Sequence, residues 1–246
     1  MTTAPPPTSA FSSFSLEPFP ELQPGDDLAG AISEVLASTG TELLDGDVVV
    51  VASKVVSIAE KRYVNLADVT PSAEAVDLSA RTGKPAAVVQ LILDHSTEHF
   101  LATERGPIIA RHTLGHQLTS AGIDRAGTDG AWLLPEEPDA SARALRDALV
   151  AETGAEIAVV IADSDGRADR RGATCISIGA AGTAPLRVTE HGGKRQEETF
   201  TDMLAAAAGI ILGQRGRGAP VVVLRGIGYT PSDEGVTTML HHSPAG

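Results

Sequence analysis

The 246-residue sequence has one cysteine, Cys175, so it can form neither an internal disulfide nor a cysteine-based zinc site, and its TCISIG setting reads as a buried strand. Positive charge is also scarce: 19 Lys and Arg stand against 32 Asp and Glu, a formal net charge of −13. Affinity for nucleic acid comes from neutralising phosphates with Lys and Arg, so this balance excludes a general nucleic-acid binder but not a single phosphate-bearing ligand. Long hydrophobic runs are missing too. The longest apolar stretches are of strand length, which excludes a membrane-spanning helix and leaves no membrane partner to expect. MTTAPPPTSAFSSFS lacks a basic start and an apolar core, so residues 1–15 are expected to be a disordered leader rather than a signal peptide, with a cytoplasmic location following by default.

Familiar catalytic signatures are absent as well. There is no Walker A loop, no Gly-x-Gly-x-x-Gly turn at a strand–helix junction and no Gly-x-Ser-x-Gly elbow. His112 and His116 are spaced like a zinc pair but enclose no glutamate, and Gly115 between them opposes a helix, so they read as ordinary histidines.

What is present is a mixture of helical and strand patterns with 42% apolar residues. DDLAGAISEVLAST has helical spacing, and TELLDGDVVVVASKVVSIAE then turns to a β-branched run in which Ser53 and Lys54 lie in strand-like context. PSAEAVDLSARTG and PAAVVQLILDHS read as two helices parted by Gly83 and Pro85, and GPIIARHTLGHQLTS as short strands with a turn. AGIDRAGTDGAWLLPEEPD reads as a loop, followed by a helix with Ser141 as its N-cap and Gly154 as its stop. EIAVVIADSDGR and TCISIGAAG are strands, ETFTDMLAAAAGIILGQ is an Ala-rich helix, and APVVVLRGIGY is a final strand. The expectation is an α+β fold of mixed sheets and packed helices, one domain over 16–235, with a flexible tail at 236–246.

Three aspartate-bearing loops follow apolar segments: Asp124 in AGIDRAG, Asp163 and Asp165 in IADSDG, and Asp233 in TPSDEG. Hard divalent cations that bridge substrate phosphates take one or two carboxylates, which suits an aspartate at a strand end, although aspartate also caps ordinary turns. IADSDGRADRRG adds three arginines, whose forks match phosphate as well as carboxylate; paired with one another on the surface they would stabilise the fold by only about 0–1 kcal/mol. GQRGRG at 213–218 joins helix to strand with glycines that permit close backbone approach and two positive charges, a weak phosphate-loop signal taken alone.

Taken in order, FPELQPGDDLA, GDVVVVASKVVSIAE, AGIDRA, LLPEEPDASARALR, VVIADSDGR, IGAAGTAPL and GIILGQRGRGAPVVVLRG resemble the γ-glutamyl ligase family that elongates the glutamate tail of the deazaflavin coenzyme F420. The resemblance covers about residues 16–226. It implies an α+β, intertwined homodimer that binds GTP and two divalent cations, Mn²⁺ or Mg²⁺. It implies an acceptor carboxylate activated as an acyl phosphate and joined to the amine of L-glutamate; the partners are thus a small-molecule acid and an amino acid. By position, Asp124 and Asp163 match catalytic, metal-binding aspartates, Ser164 a metal-side threonine and Gln214 a metal-binding glutamine. Phe19, Pro20, Glu21, Leu22, Ser53, Lys54, Gly213, Arg215 and Gly216 fall in nucleotide-contacting segments.

The sequence departs from the family pattern in several places. Ile58 stands for a nucleotide-binding lysine, and whether nearby Lys61 or Arg125 compensates for the changes at Ile58 and Gly127 is left open by the sequence. Ser120 and Gly127 stand for asparagines, Glu190 for an aspartate, and Ser164 to Arg170 replaces Thr-Phe-Gly-Arg-Pro-Trp-Arg. The changes leave three alternatives: a paralogue making a different amide, a nucleotide-binding protein with little ligase activity, or a metal-dependent phosphohydrolase.

Overall fold

The computed structural model describes residues 8–213 and 218–241, and every structural statement here concerns those residues. The chain opens with β1 (Ser12–Ser15), α1 (Leu28–Thr39), β2 (Val48–Ala52), α2 (Ser53–Ala59) and β3 (Tyr63–Asn65). It continues through α3 (Ala73–Thr82), α4 (Ala86–Asp94), β4 (Ser96–Leu101), β5 (Ile108–His112), β6 (Gln117–Thr119), β7 (Asp124–Ala126) and β8 (Gly130–Trp132). The remainder is α5 (Pro138–Thr153), β9 (Ala158–Gly166), β10 (Ala173–Ala181), β11 (Leu186–His191), β12 (Lys194–Thr199), α6 (Phe200–Leu212) and β13 (Val221–Arg225).

Five strands form the central sheet in the order β1-β13-β2-β9-β10. Its middle is buried on both faces, which explains why Val48–Val51 and Val221–Val223 read as continuous β-branched runs rather than alternating ones. One face carries Val49, Val51, Val159 and Ile161 against Ile32, Val35 and Leu36 of α1 and Leu145 and Leu149 of α5. The other carries Val50, Val160, Val222 and Leu224 against Leu204, Ala205 and Ala208 of α6, where small residues let the helix lie close. A separate core joins α3, α4 and the two small sheets β4-β5-β6 and β3-β8-β7 through Leu78, Val89, Ile92, Ile108 and Ala131. The fold is α+β with mixed sheets.

Local signals set the helix ends. Asp27 accepts the Gly30 amide at 3.1 Å to start α1, and Gly40, Gly83 and Gly154 close α1, α3 and α5 at φ 65°, 71° and 74°. Gly154 is the stop that the sequence implies, whereas Ser141 is not the cap: α5 begins a turn earlier at Pro138, where the missing amide of proline costs nothing.

Four other expectations need correction. Ser12–Ser15 belongs to no disordered leader but is the edge strand β1, paired with β13 from Ser12↔Arg225 to Ser15↔Val222. Val236–Met239, expected in a flexible tail, forms a 3₁₀ turn with Val236 buried, because Asp139 accepts the Val236 and Thr237 amides at 2.8 and 3.1 Å. Ser53 and Lys54 leave the strand and open α2, since burial of Val56 overrides the β preference of the run. The loop expected after Ile123 is instead the β7–β8 hairpin, closed through Gly127 at φ 62°.

Candidate active site

In the central sheet, β2 and β9 run parallel, in register from Val48↔Ala158 to Ala52↔Ala162. Their carboxyl ends therefore lie side by side, and the residues after that last pair meet: Ser53 Oγ donates to Asp163 Oδ1 at 2.7 Å. Open sheets hold ligands beyond the carboxyl ends of parallel strands, where backbone and side chains fan apart. A cleft of about 680 Å³ lies there, within the range of small-molecule sites.

Each wall has a structural origin. Phe19, Pro20, Glu21 and Leu22 follow β1, which is held to β13 past its end by Leu16 N–H donating to Val221 O at 3.0 Å. Ser53, Lys54, Val55 and Ile58 come from α2. Ala162, Asp163 and Ser164 come from β9, and Cys175 from the facing residue of β10. Leu212 and Gly213 end α6, and Gly218, Ala219 and Pro220 lead into β13. Asp124 enters from the start of β7.

Asp163 has the most unusual environment. Its Oδ2 is buried and has no hydrogen-bond partner among the described residues. Burial pushes the carboxyl up to about 7, with the nearby Asp124 charge adding to the rise and the Ser53 hydrogen bond opposing it. Such an atom, beside Asp124 and the exposed Ser164, makes a hard oxygen donor set fit for Mg²⁺ or Mn²⁺. Among the described residues no three His, Cys, Asp or Glu side chains converge into a cage.

Phe19, Pro20, Glu21, Leu22, Ser53, Lys54, Asp124, Asp163, Ser164 and Gly213 thus line one cleft. Gln214, Arg215 and Gly216 lie outside the described residues. Asp233 is exposed and does not line it, and neither does Asp165, which accepts the Thr119 amide at 3.0 Å. The arginine-rich end of IADSDGRADRRG is a solvated set of ion pairs, Arg167 to Asp169 at 3.7 Å and Arg170 to Asp169 at 2.7 Å.

Of the two cations nearest to Ile58 and Gly127 in sequence, Lys61 and Arg125, neither lines the cleft. Lys61 lies over Gly25, and Arg125 donates to Gly127 O at 3.3 Å. Ser120 and Gly127, which stand for asparagines, both have left-handed backbone, φ 56° and 62°, a region that Asn and Gly adopt more readily than other residues. Gly127 therefore keeps the turn although it changes the side chain.

Sequence reading did not assign Val55, Cys175 or Pro220 to the site. Cys175 is only half-buried and its thiol is pushed up mainly by burial, then by the Asp163 charge. The small residues Ala52 and Ala162, at the ends of two valine-rich runs, were the usable signal for open space beyond the strands.

The two histidines are ordinary, as their context implies. His112 and His116 are buried, His112 stacks on His95 with ring centroids 5.8 Å apart, and its Nδ1 accepts the Leu114 amide at 3.0 Å. Among the described residues no helix is long and apolar enough to cross a membrane.

The profile of the F420-0:Gamma-glutamyl ligase family matches residues 18–226. A coenzyme F420:L-glutamate ligase of Methanothermobacter thermautotrophicus is 38% identical over 240 residues, covering 93% of this chain and 95% of its own. Those of Methanosarcina acetivorans and Archaeoglobus fulgidus are 34% and 36% identical, covering 91% and 87% of this chain and 89% and 87% of theirs. With motif order, cleft and relatives in agreement over nearly the whole chain, this protein belongs to the F420-0:Gamma-glutamyl ligase family of amide-bond-forming enzymes.

Proposed function

We propose that this chain is a GTP-dependent ligase of the coenzyme F420-0 type, joining the amine of L-glutamate to an acceptor carboxylate, and that it works as a homodimer with Mn²⁺ or Mg²⁺. The observation that carries this reading is Asp163. With a buried and unpartnered Oδ2, it lines a cleft that also gathers Asp124, Ser53, Lys54 and the Phe19–Leu22 segment.

A carboxylate does not react with an amine until one of its oxygens becomes a leaving group. In the proposed sequence an acceptor oxygen attacks the γ-phosphorus of GTP and GDP departs. The amine of glutamate then attacks the acyl carbon, phosphate leaves and the amine gives up a proton. When bound, a divalent cation offsets the charge that builds on the transferring phosphoryl group. Asp163 and Asp124 would hold it, with Ser164 on the same side. Lys54 supplies a positive charge from the first turn of α2, and Phe19, Leu22, Val55 and Ile58 give an apolar surface that excludes water from a reactive acyl phosphate. The names of the relatives, coenzyme F420:L-glutamate ligases, supply the acceptor class.

The test is mass spectrometry after incubation with GTP, Mn²⁺, a deazaflavin lactyl-phosphate acceptor and L-glutamate. A glutamyl adduct formed one-for-one with GDP and phosphate supports the proposal. Phosphate release without an adduct points to a phosphohydrolase, and an adduct obtained only from a library of other acids and amines points to a different amide. Sedimentation of the same sample checks the dimer.

A further inference from the structure

We infer that Asp165 is a positioning residue that sets where Asp124 stands relative to Asp163. The two candidate ligands come from distant parts of the chain, Asp163 on β9 and Asp124 at the head of β7. What joins them is a clamp just outside the cleft. Asp165 shares the face of β9 with Asp163, since side chains alternate along a strand, and its Oδ1 accepts the Thr119 amide at 3.0 Å. Thr119 Oγ1 donates to Gly166 O at 2.8 Å, and a Cβ on Gly166 would stand 2.6 Å from that oxygen, so only glycine admits the approach.

Beyond Thr119 the backbone has little freedom before Asp124. Ser120, Ala121 and Gly122 are all left-handed, at φ 56°, 51° and 67°, and Ile123 N–H closes the turn on Ser120 O at 3.0 Å. A Cβ on Gly122 would meet the Leu134 side chain at 2.8 Å, so the turn is packed from below. Fixing Thr119 on β9 therefore fixes the entry of Asp124. Ser120 and Ala121 hold a conformation that side-chain-bearing residues adopt only when their surroundings over-determine it, and the Asp165 clamp is one such constraint.

This inference rests on the reading that Asp124 and Asp163 hold a divalent cation together. It is tested by Mn²⁺ titration of the full chain in the presence of GTP, followed by electron paramagnetic resonance, for Asp163→Asn, Asp165→Ala and Asp165→Asn. Asn retains an acceptor oxygen for the Thr119 amide; Ala does not. Partners that orient metal ligands typically change affinity by about 10–100-fold, so Asp165→Ala should bind Mn²⁺ at least about tenfold more weakly while Asp165→Asn stays within about threefold. Hydrogen exchange of amides 119–124 should rise in the Ala variant only. If the Ala variant does not fold, Asp165→Glu, which displaces the carboxylate by one methylene, should show the weakening instead. Equal weakening by Ala and Asn would make charge rather than the clamp responsible, and wild-type affinity in Ala or in Glu would show no positioning role; each overturns the inference. Wild-type binding by Asp163→Asn would instead remove the cation reading beneath it.

Discussion

Ser53 Oγ holds one oxygen of Asp163 at 2.7 Å and leaves the other buried without a partner. The serine thus fixes the carboxylate's rotation, with Oδ1 bonded and Oδ2 unpartnered, in a side chain that lines the cleft. Ser53→Ala should lower stability by about 1 kcal/mol, the usual net value of such a bond. It should lower metal-dependent turnover by about 10–100-fold, with Ser53→Thr recovering most of it. Thermal melting and a Mn²⁺ titration of GTP consumption read the two effects separately.

Asp163→Asn should abolish amide formation and leave the fold intact. In the cation-free protein the raised carboxyl holds its proton more tightly folded than unfolded. Its contribution to stability is therefore intact near pH 4 and lost as pH climbs through about 7. Above that pH the wild type carries a buried charge that Asn lacks, so the variant should be the more stable by about 1–3 kcal/mol at pH 8 in chelator. Full amide synthesis by the variant would sink the assignment.

The buried histidines predict weakening in mild acid. Burial, helped by His95, His116 and Arg62, pushes His112 down to about 4, and burial also lowers His95 and His116. Because the unfolded chain binds those protons first, stability is complete above 6.5 and drops as pH falls toward 4, by up to about 3 kcal/mol for His112. His112→Asn, which keeps an acceptor for the Leu114 amide but does not titrate, should flatten a plot of melting temperature against pH between 7 and 5.

Asp139 ties the C-terminal segment to the sheet. It accepts Ala180 N–H at 2.9 Å on β10, the Val236 and Thr237 amides at 2.8 and 3.1 Å, and Thr237 Oγ1 at 2.9 Å. Asp139→Ala leaves those donors without an acceptor and should cost about 2–4 kcal/mol. Urea melts report the loss, and hydrogen exchange should rise first across 235–239.

The strands and helix stops were legible because they are local. Valine runs buried on both faces need no partner to be recognised, and Gly83 and Gly154 end helices by their own backbone freedom. Asp163 was legible for the same reason, a carboxylate directly after an apolar strand. The helical start at Ser53 was not, since Val55 and Val56 prolong a β-branched pattern and only packing across the sheet decides against it. Nor did Ser12–Ser15 announce a strand: its stability comes from pairing with β13 at the other end of the chain. The role of Asp165 was equally hidden, because its partner Thr119 is found only once β6 lies beside β9.

The parallel β2–β9 pair also governs when the site can exist. Ser53 and Asp163 are separated by 110 positions, and β2 is flanked on its other edge by β13, near the end of the family-matched region. Closing such long loops is slow compared with forming local helices. Helices α1 to α5 are synthesised before β9 and β13, so a nascent chain carries the Phe19–Leu22 and α2 walls without a cleft to put them in. Catalytic competence arrives in a late step, after synthesis of the final strand.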